Sequence, residues 1–389
     1  MHPLLHPRNA HILPLALLLA ACGSSRPVGS DWPDTSGFSD GTHHWYYIRD
    51  EEQVIVPLPD QRQYPPDSVV RIADNIVLFQ KSNGGWPKNY DMMAILTEAQ
   101  KVRVQAAADD PTTTFDNGAT HSHVAYLAQA YHRTGNPRYG TACRRGIEFI
   151  LSAQYPEGGW PQFFPDTSGY RKYITFNDGA MVGVLTVLRD IAQNAPQYLF
   201  VDSLLRIRAR EALERGVACV LRCQVLQGDS LTGWCQQYDQ RTLAPRWARS
   251  FEPAALASME SADVILFLLT LENSSPAIER AVHAAGRWLE RVALRGIRVE
   301  TTKAPPVTYQ YHKTASDRVV IQDAGAPRIW SRFYELETGR PLFCNRDGTP
   351  VYSLAEVDRE RRTGYAWYTY EPEKALAALS SRTHKEKRP

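Results

Sequence analysis

A helical unit that recurs along the chain constrains its fold more than any other feature. Three helix-like stretches each lead into a loop in which glycine precedes tryptophan. The stretches and their loops are 68–81 with GGWPK (84–88), 139–154 with GGWPQ (158–162), and 211–224 with GWCQ (233–236). Repeated units of this kind bury their apolar faces by stacking on one another, so we expect a layered helical array.

Each loop is followed by a polar marker that opens an apolar helix. The markers are TFDNGA (114–119), TFNDGA (175–180) and the degenerate ASMESA (257–262). This order predicts an all-α dominated helical toroid, with irregular loops gathered at one end and a few short strands. The apolar helices after the markers would form the inner ring, and the more charged helices before them the outer ring.

The rest of the chain extends this arrangement less regularly. A divergent fourth helix pair is expected from 283–292 and the segment after Leu354, and short strands are expected within 299–311 and 318–321. Repeats of this type also build purely structural solenoids, so the repeat by itself does not establish an enzyme.

The N-terminus has the pattern of an export signal. The apolar stretch 12–21 is too short to span a bilayer, and it ends in Leu19-Ala20-Ala21-Cys22. This predicts a signal peptide at 1–21 and a lipidated Cys22, although an ordinary signal peptide with a chance cysteine fits the same residues. The Pro/Ser/Gly-rich segment 22–66 is interpreted as a tether and irregular lead-in, followed by the folded domain at 67–380.

Composition excludes some classes of partner. The 44 Lys and Arg nearly balance the 42 Asp and Glu, so no basic excess indicates nucleic acid. The 19 Tyr and 9 Trp suit a carbohydrate surface, although large cores also use aromatic residues. Besides Cys22 there are five cysteines, which predict buried free thiols or one disulfide rather than a zinc site.

The polar markers carry the first candidate site residues. Asp and Asn before a helix usually satisfy free backbone N–H groups, and that role could account for Asp116, Asn117 and Asp178. The toroid would nevertheless bring both carboxylates to one mouth. Two acids and two amides there suit a hard cation such as calcium, and two acids equally suit a glycosidase. Residue types do not separate these options.

Several arginines are expected at the same end of the predicted toroid as these carboxylates. Segment 323–334 interleaves arginine with aromatic residues, and Arg249 precedes the third inner helix. Because guanidinium groups grip carboxylates bidentately, they favour an acidic substrate over a neutral glycan. The recurring tryptophans are interpreted as structural plugs, and His121 and His123 as packing residues, because residues two apart on a helix do not face each other.

Several long segments together resemble polysaccharide lyase family 10 pectate lyases, over about residues 68–370. They are KSNGGWPKNYDM (81–92), TFDNGATHSHVAYLAQAYHRTG (114–135), GGWPQFFP (158–165), YITFNDGAM (173–181) and APRIWSRFYELETGRPLFCNRDG (326–348). The resemblance implies an (α/α)3 toroid over 67–380. It also implies calcium-assisted β-elimination of α-1,4-linked polygalacturonate, giving 4,5-unsaturated products.

The resemblance also implies roles for individual residues. Asp116 and Asp178 would bind calcium, and Arg332 would remove the C5 proton. Arg249, Arg318 and Asn117 would bind substrate. Because the pKa of arginine exceeds ~12, only a tiny fraction of Arg332 would be neutral at neutral pH, which implies an alkaline preference; clustered cations and desolvation around Arg332 would raise that fraction.

Two rival functions stay open at this stage, namely a toroidal glycoside hydrolase and a non-catalytic surface lipoprotein that binds pectic glycans. We expect a secreted or cell-surface protein that acts as a monomer on polygalacturonate and does not bind nucleic acid.

Overall fold

The computed structural model describes residues 32–48, 52–272 and 274–386. The chain divides into two units, Met1–Asp31 and Trp32–Pro389, of which the first lies outside the described residues. The expected signal peptide and Cys22 therefore fall outside the described part of the chain. Within that part, no helix is both long and apolar enough to cross a membrane.

Helices dominate the second unit. In chain order they are α1 (Ser39–Tyr47), α2 (Val69–Phe79), α3 (Glu98–Ala106), α4 (His121–Thr134), α5 (Pro137–Ser152), α6 (Ala180–Ala192), α7 (Ser203–Cys223), α8 (Ser258–Leu268), α9 (Pro276–Val292), α10 (Arg359–Gly364) and α11 (Pro372–Glu386). Short 3₁₀ turns at Asp116–Gly118, Gly169–Lys172 and Asn177–Gly179 lie between them.

The strands are mostly two residues long. They are β1 (Ile174–Thr175), β2 (Leu226–Gln227), β3 (Ser230–Leu231), β4 (Trp234–Cys235), β5 (Gln237–Tyr238), β6 (Leu256–Ala257), β7 (Ile297–Thr308), β8 (Lys313–Gln322), β9 (Trp330–Ser331), β10 (Phe333–Tyr334), β11 (Pro341–Cys344), β12 (Pro350–Val351) and β13 (Tyr368–Thr369). A five-stranded antiparallel sheet has the order β12-β11-β10-β6-β4. The predicted strands at 299–311 and 318–321 form one longer hairpin, β7–β8.

The long helices lie in two rows. Helix α4 packs on α6, α6 on α8 and α8 on α11, which makes these four the inner row. The outer row consists of α2, α5, α7 and α9: α2 and α5 pack on α4, α7 packs on α6, and α9 packs on α8 and α11. Residues such as Val184, Leu185 and Leu188 of α6 are fully buried between the rows. The predicted helical toroid is confirmed, including the fourth helix pair.

The recurring tryptophans occupy the same structural position in every repeat. Trp86 Nε1 donates to the carbonyl oxygen of Ile76 at 2.7 Å, and Trp160 Nε1 donates to that of Ile150 at 2.7 Å. Trp234 and Trp330 donate in the same way to carbonyl oxygens of α7 and α9. All four side chains are fully buried. A buried indole with its N–H satisfied fixes the loop against the outer helix, so the structural interpretation of these residues is correct.

Successive repeats are joined by backbone hydrogen bonds from each marker to the next tryptophan loop. Phe115 N donates to Gln162 O, Phe176 N to Gln236 O, and Ser258 N to Arg332 O. Each acceptor lies two residues after its tryptophan. The markers and these loop positions therefore form one continuous rim at the end of the toroid.

Part of the expected irregular lead-in is ordered. Helix α1 lies within 22–66, and Trp45 in it is buried with its Nε1 donating to Ile55 O at 2.8 Å. This part of the prediction is wrong because the apolar side chains of α1 add to the core, which a Pro/Ser/Gly-rich composition does not reveal. All five cysteines of the described residues are buried and free, so the prediction of free thiols is confirmed.

Candidate active site

The carboxylate pair comes from two equivalent turns. Asn117 has φ 49° and Asp178 has φ 50°, which is the left-handed region that Asn, Asp and Gly tolerate best. The DNG and NDG turns therefore need these residue types for their backbone. Helix α6 has no side-chain cap, so Asp178 does not act as a helix cap there. The two turns pack on each other, which brings Asp116 beside Asp178.

The electrostatics of this pair fit a divalent cation. Burial raises the pKa of Asp116, but the cations of Lys88 and Arg249 and the hydrogen bonds of Gln162 and Asp178 together hold it below its usual value. Burial, followed by the negative charge of Asp116, raises the pKa of Asp178 well above its usual range. Asp116 Oδ1 is buried without a well-formed hydrogen bond from any described residue. Two crowded carboxylates with an unused oxygen suit a hard cation.

The protein supplies only part of such a cation's ligands. Among the described residues, no group of three His, Cys, Asp or Glu side chains could hold a metal ion. Calcium takes six to eight oxygen ligands. The remaining positions would therefore be filled by water and by a ligand that itself carries oxygens.

Arg332 is held in an acidic environment. Its side chain is 6% exposed, and its Nη2 donates to Asn177 Oδ1 at 2.8 Å and to Glu260 Oε1 at 2.9 Å. The guanidinium also lies 4.7 Å from the centroid of the Tyr365 ring. Burial alone lowers the pKa of Arg332, but Tyr365, Glu260 and nearby carboxylates raise it above its usual value.

Arg249 is a cationic neighbour of Arg332, since both arginines lower the pKa of Asp178 and of Glu252. Desolvation is present, as expected, but the nearest charged partner is an acid. Glu260 stands where the first two repeats have their marker residues, and it pairs with Arg332.

Arg249 and Arg318 flank the same region in different ways. Arg249 is 38% exposed at its side chain, and its Nε and Nη2 donate to Glu252. Its charge acts on both Asp116 and Asp178. Arg318 lies on β8 and donates through Nη1 to the backbone oxygen of Tyr365 at 2.8 Å, and burial lowers its pKa.

Asn117 lies with the carboxylates but is tied to a neighbouring loop. Its Nδ2 donates to Asn89 Oδ1 at 2.7 Å, and the residue is 5% exposed. The two histidines after it are packing residues, as expected. His123 is buried and stacks on Trp86, and burial lowers its pKa well below the usual value.

Sequence reasoning missed several residues that line the rim. They are Gln162, Gln236, Glu252 and Tyr365. A signal for the two glutamines was available, since the residue two after the tryptophan is Lys88, Gln162, Gln236 and Arg332 in the four repeats. Gln236 Nε2 donates to Glu260 at 2.7 Å, and Lys88 Nζ lies 3.4 Å from Asp116. No such signal marks Glu252 or Tyr365.

A helical toroid whose rim combines paired carboxylates with arginines defines an enzyme for acidic polysaccharides. The family model described as pectic acid lyase matches residues 80–376, and the chain belongs to this family of polysaccharide lyases. A comparison of the chain with curated proteins found no match.

Two solved structures give the same family. The family 10 polysaccharide lyase from Cellvibrio cellulosa is 32% identical, with a TM-score of 0.69 over 81% of this chain and 92% of that one. A mutant of that lyase in complex with trigalacturonic acid is also 32% identical, with a TM-score of 0.71 and the same coverage.

Proposed function

We propose that the protein cleaves α-1,4-linked polygalacturonate by β-elimination, with a bound calcium ion, and releases 4,5-unsaturated oligogalacturonides. The observation that carries this proposal is the Asp116–Asp178 pair with Arg249 and Arg332 beside it, together with Arg318, which bonds the Tyr365 that lies against Arg332. Such a rim favours a polyanion that brings its own carboxylates. The trigalacturonic acid complex of the Cellvibrio lyase supports the same class of substrate.

The calcium ion would be held by Asp116 and Asp178. When bound, it would pair with a uronate carboxylate and stabilise the negative charge that builds up there as C5 loses its proton. Asn117 and Gln162 border this pair, so their side chains would keep the two carboxylates in place.

We assign the proton-accepting role to Arg249 and not to Arg332. Arg332 has little exposed surface, and Nη2 is already bonded to Asn177 and Glu260. Arg249 is more exposed and lies within electrostatic reach of both carboxylates, and its Nη1 is the terminal nitrogen that Glu252 does not hold. A base has to touch the proton that it removes, so exposure beside the cation site favours Arg249.

The elimination step balances without any further reactant. The C5–H bond breaks, its proton moves to a neutral guanidine nitrogen of Arg249, and its electron pair is delocalised into the uronate carboxylate. The C4=C5 double bond forms as the C4–O bond breaks, and water protonates the departing oxygen. Burial lowers the pKa of Arg249, but Glu252, Tyr365 and Asp178 together raise it well above its usual value, so the neutral base is scarce and the rate should rise with alkaline pH.

Arg332 and Arg318 would bind uronate carboxylates beside the reacting sugar. Arg332 is held in place by Glu260 and Tyr365, so it offers a fixed positive charge. Arg318 comes from the β7–β8 hairpin and reaches the same tyrosine.

The geometry disfavours the hydrolase alternative. The two carboxyl groups of a glycosidase stand about 5–5.5 Å apart in retaining enzymes and about 6.5–9.5 Å apart in inverting enzymes. The turns that carry Asp116 and Asp178 pack on each other, and each acid changes the pKa of the other, so the pair fits one shared cation better than separate acid and base roles on either side of a sugar. Membership of a lyase family argues against a non-catalytic binder.

The deciding experiment digests demethylated polygalacturonate and follows the ultraviolet absorbance of the unsaturated uronate. We expect absorbance to rise, to stop with chelator, and to return with added calcium. Arg249→Ala should abolish the rise while keeping substrate binding, and Arg332→Ala should mainly weaken binding. New reducing ends without absorbance would indicate hydrolysis and refute the proposal.

We further propose that the protein is exported and held at the cell surface through a lipid on Cys22, and that it works as a monomer. The support is the N-terminal sequence pattern and the extracellular location of pectic polymers. Metabolic labelling with a fatty-acid analogue, compared between the natural chain and Cys22→Ala, tests the anchor. Size-exclusion chromatography with light scattering tests the monomer.

A further inference from the structure

Helix α1 lies outside the family match at 80–376 and yet packs directly on the cation-side turn. A Cβ atom at Gly118 would come within 2.2 Å of Gly37 O, so the two backbones are in contact. A Cβ atom at Gly41 would lie 3.5 Å from Asn117 O. The ring of Phe38 lies 5.4 Å from that of His123. The N-terminal segment therefore supports the turn that carries Asp116.

The helix is also fixed from its other side. Tyr46 Oη donates to Asp91 Oδ2 at 3.0 Å, and Gln63 donates to the same oxygen at 2.6 Å. Trp45 is buried and bonded to Ile55 O. These contacts fix the orientation of α1, so the side chains on the face that meets the Asp116–Gly118 turn have defined positions.

His44 lies one turn along α1 from Gly41, on the same face as the residue that abuts the Asn117 carbonyl oxygen. The electrostatic neighbours of His44 include Asp116, Lys88 and Arg249, all of which belong to the candidate active site. Its side chain is 26% exposed, and its Nε2 lies 3.7 Å from Asp40 Oδ1, one helical turn earlier. The adjacent His43 is exposed and lies against Tyr47, away from these groups.

We propose that His44 is a substrate-binding residue of this active site, whose imidazole hydrogen-bonds a hydroxyl or carboxylate oxygen of the uronate bound beside Asp116, while Asp40 orients the ring. This inference rests on the proposed function. The N-terminal segment would then be part of the substrate-binding site and not only a tether.

The test compares His44→Ala with its matched control His43→Ala in the full chain, with the absorbance assay on polygalacturonate. Loss of one hydrogen bond to substrate should raise KM roughly 3- to 10-fold with kcat nearly unchanged. His43→Ala should match the natural protein. The calcium midpoint and the melting temperature of His44→Ala should also be unchanged, because the residue is not proposed to hold the cation or the fold.

Equilibrium binding and a conservative variant complete the test. Trigalacturonic acid should bind His44→Ala more weakly by a similar factor, and His44→Gln, which keeps a hydrogen-bonding group, should recover part of that loss. An unchanged KM, or a shift in the calcium midpoint instead of KM, overturns the inference. If the natural protein forms no absorbing product, the proposed function fails; if it does and His44→Ala behaves like it, only this inference fails.

Discussion

The buried pair Glu260–Arg332 gives the sharpest energetic prediction. Its side chains are 1% and 6% exposed, and Arg332 Nη2 lies 2.9 Å from Glu260 Oε1. Removing one partner of a buried ion pair leaves the other charge uncompensated, which costs about 3–5 kcal/mol. Arg332 also feels the carboxylates of Asp178 and Glu252. We therefore expect Glu260→Ala to lower the free energy of unfolding by about 3 kcal/mol, the lower end of that range.

A double-mutant cycle measures the interaction itself. Glu260→Ala, Arg332→Ala and the double variant would be unfolded in urea, with chelator present so that no cation binding contributes. We expect a coupling energy of about 2–3 kcal/mol, within the range for residues in direct contact.

The exposed pair Glu148–Arg208 supplies the matched control. Its nitrogen–oxygen distance is 2.7 Å, and its side chains are 49% and 43% exposed. Exposed pairs contribute about 0.2–1 kcal/mol because water and salt screen them. A Glu260–Arg332 coupling no larger than that of the exposed pair would show that burial does not strengthen this interaction.

Three further predictions concern the cation site, a buried acid and the tryptophan loops. The raised pKa of Asp178 means that the folded, cation-free protein holds the Asp178 proton more tightly than the unfolded chain does. The melting temperature in chelator should therefore fall as pH rises through that pKa, and added calcium should remove this fall. Burial, then Glu260, raises the pKa of Asp263 from 3.8 to about 7, so stability should decline as pH rises between these two values and level off above 7. Asp263→Asn should flatten this decline in calcium-loaded protein, and an unchanged slope would contradict the assignment. Trp160→Phe should lower the free energy of unfolding by about 1–2 kcal/mol because it leaves the Ile150 carbonyl oxygen without its donor. The control Trp247→Phe, at an exposed position, should change the free energy of unfolding in urea by less than about 0.5 kcal/mol.

The sequence predicted the repeat well because each copy depends on local requirements. A glycine-tryptophan loop after an outer helix, and a DNG or NDG turn before an inner one, are set by backbone conformation and by one buried indole each. Those requirements stay the same in every copy. The order of the helices, the two rows and the structural role of the tryptophans were therefore predictable from the sequence alone.

The hydrogen-bond and ion-pair partners of each charged group could not be predicted from the sequence. The sequence pattern gave no partner for Arg332, but folding placed it between Glu260 and Asn177, residues 72 and 155 positions away. Nothing local marks Tyr365 as the residue that lies against it, or α1 as the helix beside Asp116. A pKa and a base assignment depend on the few ångströms around a side chain, and those distances follow from how distant segments pack.

The sequence by itself therefore determined the helical toroid and the two turns that carry Asp116 and Asp178, because periodicity, indole burial and left-handed backbone are short-range properties. Only the tertiary structure decided which acid each arginine pairs with, which arginine is exposed beside the carboxylates, and that the N-terminal helix packs on the turn that carries Asp116. Electrostatic environment and exposure arise from contacts between segments far apart in the chain, and a sequence pattern does not record them.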